Sequence, residues 1–305
     1  MPDPGRLLGT FSQFIYDFHC NRHSRKNNFD IILHLGYTSD SVWYRFWDKD
    51  SIHIVNMDGQ EWKRAKYNRA VRAFLKYAEK LATRRADWLV ADSEHIRLDL
   101  VNKYKVPVRY IAYGAKIPGR YLPGEISRMG LEPFKYDLII ARMEPENNIE
   151  MAIRAKIDSG STVPLVIVGN ENKYRQHLVG KYFGVEAIRF VEAVYDEQKI
   201  NSLRHFSRIY VHGHSAGGTN PSLLEAMACS CRIVAHKNPF NQFVLGDDAF
   251  YYKDSAELAS LINNFNAGDY ERFIARNLEK IRQEYNWESV TDAYEKLFLD
   301  AIRDH

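Results

Sequence analysis

Hydrophobic residues in this chain gather in short continuous runs, and the runs end at glycine or polar turns. In the first third of the chain they occupy four segments, 29–36, 51–57, 87–91 and 108–113. A run without polar alternation is typical of a parallel strand that is covered on both faces. Glu94–Tyr104 has helical spacing, as does Phe11–His23 near the start of the chain. The pattern therefore predicts alternating strands and helices.

The same alternation is more regular in the second half. It predicts six strands, at 136–141, 164–168, 187–191, 209–211, 232–235 and 249–252. Helical segments separate nearly all of them, and Tyr285–Glu288 interrupts two helical patterns at the end of the chain. Strands that alternate with helices form doubly wound parallel sheets. We therefore predict an α/β protein with two doubly wound, Rossmann-like domains.

The longest helical pattern covers residues 62–85 and has two faces. The apolar face comprises Tyr67, Ala70, Val71, Phe74, Ala78 and Leu81, and the basic face comprises Arg69, Arg72, Lys76 and Lys80. Glu79 is the only acid in this stretch. A solvated helix face explains the charge, and contact with anionic lipid headgroups or a lipid-linked diphosphate is the alternative. Nucleic acid is not expected, because no recognised binding module accompanies the charge.

Charge is divided unequally along the 305 residues. Residues 1–135 contain 23 Lys and Arg against 15 Asp and Glu, whereas the remainder contains 19 against 24. Such asymmetry predicts different partners for the two halves. The three cysteines, Cys20, Cys229 and Cys231, fit a reducing cytosol. No apolar run approaches the length of a membrane span, so we expect a cytoplasmic protein, with peripheral contact to the inner face of the membrane through residues 62–85.

The stretch 207–230 carries the strongest indication of chemistry. A buried strand, Ile209–Val211, leads into a loop with Gly213, Gly217 and Gly218, and Thr219-Asn220-Pro221 then starts a helix. Glycine lets a backbone approach a ligand closely, and free N–H groups at a helix start favour an anion. Glu225 lies beyond the first turn, where its carboxylate can accept hydrogen bonds from a diol or simply face solvent.

Other positions could contribute to a site. Arg142 ends the first strand of the second half, which suits a diphosphate, although an ion pair with Glu144 or Glu146 is the alternative. His212 and His214 share one face of a strand. A structural role is the usual one for such a pair, and metal binding is the alternative, for which no third ligand is evident nearby. Asp58-Gly59 ends a strand of the first half and is either functional or an ordinary turn.

The string His212–Met227 resembles the donor-site motif of retaining GT-B glycosyltransferases of family 4, and is similar to a rhamnosyltransferase-like branch. The resemblance implies a donor-binding set of Arg142, Asn147, His214, Gly217, Gly218, Thr219, Asn220 and Glu225, with Asp58 and Arg142 as catalytic residues. Arg142 matches the family's phosphate-binding arginine. Asn147 stands where the family usually has lysine, and Gly217 where it often has a first glutamate. The resemblance implies no metal, because protein cations and helix dipoles neutralise the leaving diphosphate.

The resemblance also implies a domain organisation. Residues 1–118 are expected to form an acceptor-side domain, 119–134 a linker, 135–285 the nucleotide-sugar domain, and 286–305 a helix that braces the first domain. Typical family members open with three more strands, so the first domain is expected to be truncated. A fragment, an error in the start site, or a partner that supplies the rest would each explain this. Strand 29–36 would then be a sheet edge.

The function implied is transfer of a sugar, with rhamnose as a candidate, from a nucleotide sugar to a glycan or lipid-linked acceptor in cell-surface polysaccharide synthesis, with retention. The alternative is a non-catalytic remnant that binds a nucleotide or a partner protein. A nucleotide-sugar epimerase of GT-B fold is a third hypothesis, which turnover of donor without acceptor would distinguish.

Overall fold

The computed structural model describes residues 11–63 and 67–305. Contacts divide the chain into two compact units. The first comprises the residues up to Ala112 together with Val290–His305, and the second comprises Tyr113–Ser289. The predicted linker, 119–134, lies within the second unit: Ile126 is fully buried, and the N–H of Leu122 donates to Ser202 Oγ at 3.0 Å.

The first unit contains a four-stranded parallel sheet. Its elements in chain order are α1 (Phe11–Ser24), β1 (Ile31–His34), β2 (Ile52–Asn56), α2 (Arg69–Arg85), β3 (Trp88–Ala91), α3 (Glu94–Tyr104), β4 (Arg109–Tyr110) and most of α12 (Trp287–Asp304). The strands follow the order β1-β2-β3-β4, so β1 lies at one edge of this sheet. Ile54 pairs with Trp88 and Asn56 with Val90, which fixes the register of the two central strands.

Helix α2 begins later than the sequence predicts. Asn68 caps it by accepting a hydrogen bond from the N–H of Val71 at 3.0 Å, and residues 64–66 of the predicted helix lie outside the described residues. The predicted apolar face is partly wrong. Ala70 is exposed, whereas the deeply buried residues are Leu75, Ala78, Glu79, Ala82 and Thr83.

The core of the first unit lies against its sheet. Ile52, Ile54, Val90 and Ile111 pack with Val290, Leu297 and Ala301 of α12. The final helix therefore covers part of this sheet with its apolar stripe, which is the usual way in which a helix buries such a face.

The second unit contains a six-stranded parallel sheet. Its strands are β5 (Asp137–Ile140), β6 (Leu165–Gly169), β7 (Ile188–Glu192), β8 (Ile209–His212), β9 (Ile233–His236) and β10 (Phe250–Tyr252). Its helices are α4 (Pro123–Ser127), α5 (Ile149–Asp158), α6 (Lys173–Lys181), α7 (Glu197–His205), α8 (Pro221–Ala228), α9 (Pro239–Leu245), α10 (Ser255–Asn263) and α11 (Glu271–Gln283). The strand order is β10-β9-β8-β5-β6-β7. The direction of winding reverses between β5 and β8, and that switch point is where open α/β sheets bind ligands.

A buried ionic cluster fixes the start of this second sheet. Asp137 on β5 and Lys156 on α5 are both fully buried and lie 2.9 Å apart, and Arg208 before β8 donates to both oxygens of Asp137 at 2.8 Å. Burial lowers the pKa of Lys156, and Asp137 opposes that shift. Because each buried charge has a partner, the cost of removing them from water is offset.

The two parallel sheets with interleaved helices confirm the predicted α/β class and its two Rossmann-like units. All ten predicted strands are present: six are shorter than predicted, three are shifted by one residue, and β8 is longer by one residue. Across the part of the chain described here, no helix combines the length and the apolar character needed to cross a bilayer.

Candidate functional site

Two cavities of the second unit lie at the switch point of its sheet. The larger, of about 820 Å³, is lined at the carboxyl ends of β5, β6 and β7 and by Pro221, Ser222 and Glu225 of α8. The smaller, of about 280 Å³, lies between the ends of β5 and β8. Arg142 lines both cavities. The carboxyl edge of the sheet and the start of α8 therefore form one continuous candidate site.

Gly213 is required by a close backbone contact at this switch point. A Cβ atom built on Gly213 would lie 2.1 Å from the carbonyl oxygen of Asn147, a distance at which the two atoms clash. The loops after β5 and β8 therefore touch through their backbones. The Asn148 side chain strengthens this contact by donating to the Gly213 carbonyl at 2.8 Å.

Asn147 and His214 join the same two loops through their side chains. The Asn147 Nδ2 donates to the carbonyl of Arg142 at 2.7 Å, and its Oδ1 lies 3.0 Å from His214 Nδ1. The amide oxygen can only accept, so His214 carries its proton on Nδ1. Asn238 and Asn241 both donate to the His214 carbonyl, at 2.8 and 3.1 Å. The predicted ligand residues Asn147 and His214 line the smaller cavity while also holding the loop in place.

The start of α8 follows the sequence prediction. Asn220 accepts a hydrogen bond from the N–H of Ser222 at 2.9 Å, and Pro221 occupies the first helical position. Gly217 has φ +125°, a conformation that favours glycine. Gly217, Gly218 and Thr219 line neither cavity, and Thr219 is buried. Of the predicted loop residues, His214 and Asn220 line the smaller cavity, and Glu225 of the helix lines the larger one.

Glu225 is held by an arginine that the sequence reasoning missed. The buried guanidinium of Arg204, near the end of α7, forms an ion pair with Glu225 Oε2, while the Glu225 side chain is 46% exposed. Within residues 11–63 and 67–305, no partner of Glu225 Oε1 is present. One carboxylate oxygen is therefore anchored while the other remains available to a ligand. The sequence around Arg204 does not indicate this role, because the partner, Glu225, lies 21 residues away.

Arg142 differs from the other cations of this region. It is exposed, lines both cavities, and makes no ion pair with any acidic group that the structure describes. The alternative of a pair with Glu144 or Glu146 is therefore not observed. A fork-shaped cation at the edge of a cavity is suited to a diphosphate, which it can bind through two hydrogen bonds.

His212 is a neutral residue of the site wall. It is 4% exposed, and burial lowers the pKa of its imidazole to about 3, with His214 and His236 contributing. His212 lines the smaller cavity beside Gly213. Among the residues described, no group of three or more His, Cys, Asp or Glu is arranged to hold a metal ion.

Asp58 belongs to the first unit, two residues beyond β2. The register of β2 and β3, extended by two residues, sets Asp58 beside Asp92. Asp58 is exposed, whereas Asp92 is buried. Burial, followed by the charge of Asp58, raises the pKa of the Asp92 carboxyl to about 7. Sequence reasoning singled out Asp58 but not Asp92, because burial at a strand end depends on packing from other elements.

Family comparisons agree with this division of the chain. Residues 131–277 match the family described as "Glycosyl transferases group 1", and residues 25–116 match a "Domain of unknown function (DUF1972)". The chain is also 27% identical over 241 residues to the "Uncharacterized glycosyltransferase MJ1069" of Methanocaldococcus jannaschii. That alignment covers 72% of this chain and 60% of the relative, so the chain spans three fifths of that protein's length.

Solved structures share the fold. A sucrose-phosphate synthase from Thermosynechococcus elongatus superimposes with a TM-score of 0.78 at 16% identity, covering 99% of this chain and 80% of that one. HepE of Anabaena, in complex with UDP-glucose, gives a TM-score of 0.76 at 17% identity, covering 92% and 81%. The fold is therefore GT-B-like. Within this fold, residues 131–277 carry the match to the family of group 1 glycosyl transferases.

Proposed function

We propose that this protein transfers a sugar from a nucleotide-sugar donor, with the donor bound by the second unit. The observation that carries the proposal is the cavity of about 820 Å³ at the sheet's carboxyl edge. It is lined by the half-exposed Glu225 and by Arg142, which forms no ion pair with an acid among the described residues. A cation and a carboxylate in one cavity match the diphosphate and the ribose diol of a nucleoside diphosphate.

The proposed donor set lies in the two cavities and in the loop before α8, and comprises Arg142, Asn147, His214, Gly217, Gly218, Thr219, Asn220 and Glu225. Arg142 binds the diphosphate, and the N–H groups at the start of α8 add partial positive charge. Glu225 Oε1 accepts from the ribose while Arg204 holds Oε2. Gly217, Gly218 and Thr219 belong to the set through their backbone in the loop before α8. No metal is required, because these groups neutralise the leaving diphosphate.

The resemblance to retaining enzymes of family 4 guides the proposed reaction. The bond between the anomeric carbon and the donor phosphate oxygen breaks, and the acceptor oxygen bonds to that carbon on the same face. The acceptor proton passes to the departing diphosphate oxygen. Arg142 stabilises the negative charge that develops on that diphosphate, so that no carboxylate nucleophile is needed. Rhamnose is the candidate sugar, since Gly217 stands where a first glutamate would contact a more hydroxylated sugar.

Asp58 is the proposed acceptor-binding residue of the first unit. An exposed carboxylate can accept a hydrogen bond from an acceptor hydroxyl. The pKa of the neighbouring Asp92 is raised to about 7, so Asp92 carries a proton below that pH, which limits repulsion between the two carboxyls. The proposed acceptor is a glycan or a lipid-linked glycan of cell-surface polysaccharide synthesis. The protein would then work in the cytoplasm, with the basic helix α2 contacting the inner face of an anionic membrane.

Binding of donor fragments tests the proposal directly. UDP, GDP and dTDP, each with and without its sugar, would be titrated into the protein in EDTA and followed by calorimetry. We expect at least one nucleoside diphosphate to bind with a stoichiometry of one. Failure of every nucleotide and nucleotide sugar to bind would overturn the proposal.

A further inference from the structure

A groove separate from the donor cavities lies on the first unit, between α2 and the end of α3. It has a volume of about 500 Å³. Its lining residues come from a stripe of α2 and from the chain at and after the last turn of α3: Lys76, Lys80, Thr83, Arg84, Lys103, Tyr104 and Val106. The α2 residues follow the spacing of one helix face, so the four cations converge on one opening.

The charges of this groove are largely uncompensated. Lys76, Lys80 and Arg84 are exposed, and in the described part of the chain none of them lies within ion-pairing distance of a carboxylate. Lys103 is paired with Glu79 at 2.5 Å. Cations that face one opening repel one another, and the field they create is focused in the concave space between them. A multivalent anion would relieve that repulsion.

Among the four groove cations, Glu79 is the counterion of Lys103 alone. Its carboxylate is buried and already accepts three hydrogen bonds, from Lys103 at 2.5 Å, from the Tyr104 hydroxyl at 2.7 Å and from Trp62 Nε1 at 2.8 Å. With its acceptor capacity used in this way, it fixes the wall of the groove. The negative charge of Glu79 is therefore buried behind the wall of the groove, whereas the cations lie at the surface of that wall.

Trp62 orders two of the cations. The Lys76 Nζ lies 4.7 Å from the centroid of the indole ring, and the Lys103 Nζ lies 5.1 Å from it. The attraction of both ammonium groups to one ring keeps them close together despite their like charge. Because Trp62 is itself held by Glu79, the arrangement is part of the fold and not a chance meeting of surface lysines.

The helix dipole explains the positions of only two of the four groove cations. Arg84 and Lys103 lie in the last turns of α2 and α3, where the helix dipole favours positive charge. Lys76 lies in the middle of α2 and Lys80 before its last turn, where that effect has faded. Their convergence on the groove therefore calls for another explanation.

We propose that this groove binds a phosphate-bearing anion, with Lys76, Lys80 and Arg84 as its ligands. The chemistry recognised is a phosphomonoester or diphosphate group, carried either by a membrane lipid or by a soluble molecule. The lipid source rests on the proposed membrane contact of α2. The phosphate site itself is independent of sugar transfer and of the donor cavities.

A triple variant tests the groove against a variant with the same charge loss elsewhere. Lys76→Gln/Lys80→Gln/Arg84→Gln removes the three uncompensated cations. Arg25→Gln/Lys26→Gln/Lys49→Gln removes three exposed cations of the first unit outside the groove and serves as the control. Inorganic pyrophosphate would be titrated by calorimetry with Arg142→Gln present in the parent and in both variants, because the proposed diphosphate site of the second unit would otherwise bind the same probe. Flotation would use phosphatidylcholine vesicles containing phosphatidic acid, or phosphatidylserine adjusted to equal surface charge. Circular dichroism melting would verify that both variants fold.

We expect the parent protein to bind pyrophosphate, and the groove variant to lose at least tenfold in affinity while the control stays within twofold. Preference for phosphatidic acid over phosphatidylserine, competed by pyrophosphate, identifies the lipid source. Binding of pyrophosphate without vesicle binding identifies a soluble source. Equal losses in the two variants, or no binding of pyrophosphate by the parent protein, would overturn the proposal. Nucleotide binding in the second unit is expected to be unchanged, which separates this result from the donor-site experiment.

Discussion

Arg204 and Glu225 form an ion pair in which the guanidinium is buried and the carboxylate is half exposed. The arginine reaches the carboxylate from the end of α7, and both residues line the larger cavity. One residue therefore serves both the stability of the second unit and its proposed donor site. Substitution of Glu225 must be measured in both respects, because a weakened fold can be mistaken for a lost contact.

Glu225→Gln is expected to weaken nucleotide binding by about 1–3 kcal/mol, the range for loss of a charged hydrogen-bond acceptor. The same change leaves Arg204 without its counter-charge. Since Glu225 is 46% exposed, we expect solvent to limit the loss of stability to about 1 kcal/mol. Calorimetric titration with a nucleoside diphosphate and thermal melting of the free protein separate the two effects. Glu192→Gln, at an exposed position of β7, is the matched control. An unchanged dissociation constant for the nucleoside diphosphate in Glu225→Gln would show that Glu225 is an ordinary surface residue.

Arg142→Gln is expected to give the complementary result. The side chain makes no ion pair within the described residues and is exposed, so its loss should change the free energy of unfolding by less than about 0.5 kcal/mol. Its loss should nevertheless weaken binding of a nucleoside diphosphate by about 1.5–3 kcal/mol, because charge-assisted hydrogen bonds would disappear. The free nucleoside, which has no phosphate, should lose no affinity. Arg120→Gln provides an exposed control in the same unit. Equal losses for nucleoside and diphosphate would contradict a phosphate role.

Gly213→Ala should be strongly destabilising. Its Cβ would lie 2.1 Å from the Asn147 carbonyl oxygen, so the two loops must separate. Overpacking of this kind costs about 1–3 kcal/mol or more. We also expect weaker nucleotide binding, because Asn147 and His214 would lose their alignment. Gly180→Ala in α6 is the control: apart from the adjoining residues and the backbone of the helix itself, no atom lies within 4 Å of the added Cβ, so this variant should be as stable as the parent or more so. Chemical denaturation measures both. Similar stabilities for the two variants would refute the close contact.

Asp92 should make the stability of the first unit depend on pH. Its folded pKa of about 7 lies above the unfolded value of about 4, so the folded state binds the extra proton between these values. The stabilisation is complete below pH 4 and disappears as the pH rises through 7. The stability of the parent relative to Asp92→Asn should therefore fall by about 2 kcal/mol between pH 5 and pH 7.5.

Denaturation of both proteins at the two pH values tests this expectation. Asp30→Asn, at an exposed position of the same unit, controls for the change in net charge. Asp58→Asn should reduce the effect, because the Asp58 charge is the second cause of the raised pKa. A parallel pH response of the parent and Asp92→Asn would show that this carboxyl does not bind the proton.

The hydrophobic pattern of the sequence predicted the helices and strands closely. The limits predicted for α3, Glu94–Tyr104, are those of the structure. Ser93 precedes the helix in extended backbone without a side-chain cap bond, and Lys105 ends the helix in the left-handed conformation. Strand β4 is shorter than predicted, with only Arg109 and Tyr110 in regular pairing. Beyond it, Ala115 donates to the carbonyl of Tyr285 at 2.7 Å, a long-range contact that a local hydrophobic run cannot reveal.

The candidate site was only partly predictable for the same reason. Arg142, Asn220 and Glu225 carry local signals: a strand end, a helix cap and an acid inside a helix. Arg204 and Glu79 carry none, since each depends on partners 17 to 25 residues away. Glu79 was recognised only as the one acid of a basic helix, whereas its burial creates the wall of the phosphate groove. Arrangements made by tertiary contacts are invisible to periodicity.

The joined loops at the switch point have a kinetic consequence. The N–H and the hydroxyl of Ser215 both donate to the Glu146 carbonyl, at 3.0 and 2.7 Å, and the Gly213 and His214 carbonyls also have side-chain donors. Such a loop should open rarely, so the Ser215 amide should exchange with deuterium as slowly as a strand amide. Because the loop is already ordered, binding of a ligand there costs little conformational entropy. Its association rate should then approach that of simple docking, with no slow closing step to limit it.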